Sequence, residues 1–161
     1  MTKNILLFTF LILSFTVRSQ IKISDSINPT RVIINEFKLN YNWGEEKILI
    51  INFSFPLKSC HYNHYENLKA GKLWWNNFYK KINLENIANR FVYSDSIKAK
   101  KIIDYQSHFP DKNNFILNNF FINTMECYGV ILINEHGDYR IKKGEYLENE
   151  IVQFIRELSP K

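Results

Sequence analysis

Two stretches of the chain are continuously apolar. Lys47 to Phe55 (KILIINFSF) and Tyr128 to Asn134 (YGVILIN) do not alternate. Short apolar runs of this kind are expected of central strands covered on both faces. Elsewhere the apolar positions recur near 3.6 residues. Tyr65, Leu68, Trp75, Phe78 or Tyr79, and Ile82 share one face, which predicts a helix. Leu147, Ile151, Phe154, Ile155 and Leu158 predict a second helix over Glu145 to Leu158, ended by Pro160.

Weaker patterns fill the gaps. Val32 to Leu39 (VIINEFKL) is β-branched at its start and reads as a strand. Residues 83 to 89 read as a further helical piece, and Arg90 to Tyr93 as a short strand. Ser94-Asp95-Ser96 offers an N-cap for a helix through Ile97, Ile102 and Tyr105, which Phe109-Pro110-Asp111 breaks. Residues 112 to 124 fit helix or loop. Glu135-His136-Gly137-Asp138 reads as a hairpin turn into Tyr139 to Lys143, with Gly137 available for a positive φ and His136 exposed. Strands alternating with helices argue for an α/β sheet closed by an antiparallel hairpin and a helix.

The first twenty residues read differently. Lys3 precedes an apolar run of 13, Ile5 to Val17, and Val17-Arg18-Ser19 resembles a cleavage site before Gln20. This is secretory signal anatomy, too short for an ordinary membrane span. The expected organisation is a signal peptide over 1–19, an extension with a strand over 20–44, and one domain over 45–161. The expected location is secreted or periplasmic, where disulfides form. No later apolar run is long enough to span a membrane.

Composition adds limits. The 161 residues suit one domain, and 45% hydrophobic with 23% charged residues excludes wholesale disorder. Formal net charge is +5, and Lys98, Lys100 and Lys101 are the nearest approach to a basic cluster. They read as a solvated face, so no nucleic-acid partner is expected. No paired-carboxylate spacing, nucleotide loop or zinc-protease motif is present, and no cofactor is expected.

The order of elements resembles the thioredoxin-like superfamily, in particular secreted bacterial members of the TlpA and peroxiredoxin kind. Three segments carry the resemblance: the strand before Cys60, the strand and cap from Arg90 to Ser96, and YGVILINEHGD from Tyr128 to Asp138. It implies a central mixed sheet flanked by helices, with a C-terminal β-hairpin and helix. The sequence departs from the family in lacking its CxxC motif and the cis-proline, whose place falls at Tyr128 or a neighbour.

What remains for chemistry is Cys60 at a helix start, where the dipole and free amides favour a thiolate. Ser59 is placed to hydrogen-bond the sulfur and His61 to act as base. The resemblance also puts Cys127 opposite Cys60, as a bridging or resolving partner. The implied activity is thiol–disulfide oxidoreductase or peroxidase-like, on a protein thiol, a disulfide or a peroxide. The rivals stay open. Cys60, His61 and His64 have the ligand types of a copper or zinc site. Trp74 and Trp75 cannot both face one core and offer a binding surface for a protein partner in a redox-inactive module. An unrelated α+β domain with both cysteines buried is the third reading.

Overall fold

The computed structural model describes residues 29–55 and 67–160. The expected signal segment, and Ser59, Cys60, His61 and His64, lie outside the described residues. In chain order the elements are α1 (Pro29–Tyr41), β1 (Ile48–Ser54), α2 (Leu68–Tyr79), β2 (Ile87–Tyr93), a 3-10 turn (Lys98–Lys101), β3 (His108–Pro110), a second 3-10 turn (Lys112–Asn114), α3 (Phe115–Phe120), β4 (Tyr128–Asn134), β5 (Tyr139–Lys143) and α4 (Glu148–Leu158). The five strands form one sheet in the order β3-β2-β1-β4-β5. β1 runs parallel to β2 and β2 to β3, while β1–β4 and β4–β5 are antiparallel.

The sheet is covered on both sides. Leu49, Ile51 and Phe53 of β1 pack with Phe37 and Tyr41 of α1 and with residues of α3. Ile48 and Ile50 point the other way and pack with α2 and α4. This period-two division of one strand between two cores is why its sequence is apolar without alternation. β4 is divided in the same way. Gly129 lies where any Cβ would sit 2.5 Å from the Lys142 carbonyl oxygen and 2.5 Å from the Phe121 ring.

Several expected elements differ. Val32 to Leu39 lies within helix α1, not a strand. Pro29 opens that helix, where a proline loses no hydrogen bond, and Asn42 follows it with φ 48°. Ile33, Ile34, Phe37 and Tyr41 then lie on one face, against the sheet. An otherwise open sheet face needed a cover, which outweighs the β-branched preference of Val32, Ile33 and Ile34. The helix is part of the core.

Residues 83–89 are not helical. A turn with Asn86 at φ 57° leads into β2, which begins at Ile87, earlier than the Arg90 expected. The helix expected after Ser94 is a single 3-10 turn, although the Asp95 side chain does accept from the Lys98 amide. Asp104 turns the chain instead, accepting from the amides of Gln106, Ser107 and His108. Phe109-Pro110 is not merely a breaker. It ends the edge strand β3, where a proline costs no inner ladder bond. Leu147, expected on the core face, is 61% exposed at the start of α4.

Asparagine abundance acquires a local use. Among the described residues, five of the six non-glycine residues at positive φ are asparagines, the residue type that best tolerates that region after glycine. In the helical layers three tyrosines are sealed. Burial, reinforced at Tyr41 by the Asp111 carboxylate and at Tyr146 by Tyr79, holds the hydroxyls of Tyr41, Tyr79 and Tyr146 above the usual tyrosine range. Unfolded tyrosines ionise near pH 10. The folded state therefore keeps protons that the unfolded chain releases, so stability present below about pH 10 is lost as pH rises beyond it. Each such tyrosine removes about 1.4 kcal/mol per pH unit. Urea midpoints should fall steadily above about pH 10, and less steeply in Tyr41→Phe. Flat midpoints to about pH 11 would sink this account.

Candidate functional site

Cys127 stands immediately before β4. The register pairs Ser54 of β1 with Tyr128, and the Cys127 carbonyl accepts from the Phe55 amide at 2.9 Å. Cys127 therefore lies just past the carboxyl end of the central strand, where the chain leaves β1 toward α2. Cys127 is disulfide-bonded, and no free cysteine occurs among the described residues. The chain has one other cysteine, Cys60. The peptide bonds among the described residues are all trans, including that before Tyr128.

The two adjacent tryptophans part company. Trp75 is partly buried, with its ring stacked on Tyr146 at 5.3 Å and on Tyr79 at 6.2 Å. Trp74 is 56% exposed, beside Leu73 at 62%. Successive positions on a helix diverge by about 100°, so one ring enters the core while its neighbour cannot.

Sequence reasoning missed three buried polar groups. Asn52 sits in the middle of β1 on the α2–α4 side. Its Oδ1 accepts from the hydroxyls of Tyr79 at 2.6 Å and Tyr146 at 2.8 Å. Its Nδ2 donates to Asn89 Oδ1 at 2.7 Å and the Arg90 carbonyl at 3.0 Å. All of its amide capacity on the donor side is used. An amide inside KILIINFSF was the signal. Asp111 caps α3, accepting from the amides of Ile116 and Leu117, and receives the Tyr41 hydroxyl. Burial raises the Asp111 pKa, against those bonds.

His108 is the third. Its ring stacks on Phe91 at 5.0 Å, and Nδ1 lies 3.0 Å from Ser107 Oγ and 3.4 Å from Asp104 Oδ2. Burial and then the Lys72 charge lower its pKa. The Asp104 carboxyl is held below the usual range because the amides of Gln106, His108 and Ser107 outweigh the effect of its burial. Serine and carboxylate both meet the same ring nitrogen, so the three do not form a nucleophilic triad, which needs them on opposite nitrogens. Among the described residues no cluster of three His, Cys, Asp or Glu side chains could hold a metal ion.

A parallel β1–α2–β2 unit and an antiparallel β4–β5 hairpin share the sheet order β2-β1-β4-β5, and a helix closes the chain. The fold is thioredoxin-like. No family model matches the chain and no curated protein matches it. Among solved structures, it is similar to the pneumococcal exposed lipoprotein thioredoxin Etrx1 from Streptococcus pneumoniae, with 15% identity over 70% of this chain and 86% of that one and a TM-score of 0.46. StoA from Bacillus subtilis is 17% identical over 69% of this chain and 84% of its own, with a TM-score of 0.42. The thioredoxin-like assignment rests on the sheet order and strand directions. In that arrangement the carboxyl end of β1 is the place where chemistry is expected, as in open α/β sheets generally. Among the described residues no helix is long and apolar enough to cross a membrane.

Proposed function

We propose that the chain is a secreted or periplasmic thioredoxin-like protein of thiol–disulfide exchange, with Cys60 as nucleophile and Cys127 as its resolving partner. The observation that supports this reading is the bonded state of Cys127 at the end of the central strand, in a chain with one other cysteine. The oxidised protein then holds a Cys60–Cys127 bridge. In the reduced protein the Cys60 thiolate attacks a substrate disulfide, and one substrate sulfur leaves as a thiolate. Cys127, deprotonated, attacks the Cys60 sulfur, closes the bridge and releases the second substrate thiolate. Two electrons pass to the substrate, and the protons given up by the two cysteines end on its thiols. Ser59 and His61 stabilise and deprotonate Cys60 in this scheme.

The test is a thiol titration of the full chain purified from an oxidising compartment, before and after mild reduction. None before and two after is the expected result, with Cys60→Ser leaving one free thiol. Two thiols seen only on denaturation, or a bridge that resists mild reductant, would overturn the exchange reading. The exposed Trp74 and Leu73 pair would then favour a redox-inactive module that binds a protein partner through this face.

A further inference from the structure

A cavity of about 660 Å³ opens between the first turns of α2 and the segment that follows β2. Lys69 and Lys72 line it from α2, Lys98 and Lys101 from the 3-10 turn, and Asp104 is the one acidic residue on its wall among the described residues. Four lysines thus stand against Asp104 on the wall and Asp95, which pairs with Lys98, a local excess of two positive charges in a chain whose whole net charge is +5. The lysines come as two pairs, Lys69 with Lys72 and Lys98 with Lys101, and the pairs meet only because α2 and the turn lie side by side over the sheet. Elements that follow β1 and β2 leave from the carboxyl ends of parallel strands, the side on which α/β sheets take ligands.

The lysines are only partly neutralised. Lys72 lies 4.0 Å from Asp104, and Lys98 lies 3.4 Å from Asp95. Lys69 and Lys101 have no carboxylate within 4.0 Å among the described residues. Gathering like charges in a concave, partly apolar wall raises the local potential, a cost that a bound anion removes. Leu68, Ile102 and Ile103 complete the lining with apolar surface. The volume lies within the range of small-molecule pockets, roughly 300–1,000 Å³. Lysines recognise phosphate as point charges and need no planar fork.

We infer that this cavity binds a small organic anion bearing several phosphate charges, held by residues that the exchange reading does not use. The inference is independent of the exchange reading, since no group in the cavity takes part in it. The probe is inorganic tripolyphosphate, titrated calorimetrically into the full chain at about 0.15 M salt, where weak surface attraction is screened. Saturable one-to-one binding is expected. Lys69→Ala and Lys101→Ala should each weaken it about tenfold or more, the loss of one charge-assisted contact. Neither lysine holds an ion pair among the described residues, so both variants should keep the parent's circular dichroism and urea midpoint. Lys143→Ala, on the far hairpin, should bind as the parent does. No saturable binding, or an equal loss in Lys143→Ala, overturns the site. Citrate binding as tightly as tripolyphosphate overturns the phosphate assignment.

Discussion

Cys127→Ser should lower the unfolding free energy by about 4 kcal/mol in urea titrations under oxidising conditions. The proposed bridge to Cys60 closes a loop of 67 residues that contains α2, β2, β3 and α3. Cross-linking positions so distant removes chain entropy mainly from the unfolded state, so the loss should come with a larger denaturant slope. Reducing the wild type should reproduce the same midpoint and slope, and reductant should have no further effect on the variant. A Cys127→Ser midpoint equal to that of the oxidised wild type would remove the intrachain bridge from the account. The same result would weaken the redox proposal, because a partner outside the chain would then hold Cys127.

Asn52→Ala should cost about 3–5 kcal/mol, as large an effect from a different cause. The amide is the shared acceptor of two tyrosine hydroxyls sealed between the sheet and the helices α2 and α4. Truncation leaves both hydroxyls without that acceptor, at about 1–3 kcal/mol each, and opens a cavity at the centre of the strand. Tyr79→Phe and Tyr146→Phe, which each remove one donor, should cost only about 1 kcal/mol apiece. The decisive comparison is the triple variant Asn52→Leu, Tyr79→Phe, Tyr146→Phe. If unpaired hydroxyls are the cause, it should recover most of the stability lost in Asn52→Ala, as measured by thermal and urea unfolding. A triple variant no more stable than Asn52→Ala would assign the loss to packing alone. The network does not touch Cys127, so thiol titres should be unchanged in every one of these variants that folds.

How much of this was legible beforehand varies with the kind of signal. β1 and β4 were plain in the sequence because strands buried on both faces must be apolar throughout. The β4–β5 hairpin was plain because Gly137, at φ 91°, marks its turn. The α1 helix was not, since Val32, Ile33 and Ile34 prefer strands and the reason they are helical lies in the sheet face that α1 covers. The three-residue β3 was hidden behind Pro110, because a breaker and an edge position look the same in one dimension. At the candidate site, Cys127 was singled out through the family resemblance, which puts it just before the cis-proline position. Asn52 carried a signal, a lone amide in an apolar run, but its partners are 27 and 94 residues away.

By itself the sequence determined the α/β class, the two central strands, the closing hairpin and helix, and the pair of cysteines worth asking about. All but the cysteine pair, which the family resemblance singled out, follow from local patterning, which burial and turn geometry write directly into neighbouring residues. The tertiary structure decided which faces were left to cover, and so made 29–41 a helix. It put Tyr79 and Tyr146 on Asn52, and drew Lys69, Lys72, Lys98 and Lys101 into one cavity. Those outcomes depend on contacts between distant segments, whose energies no single stretch of chain contains.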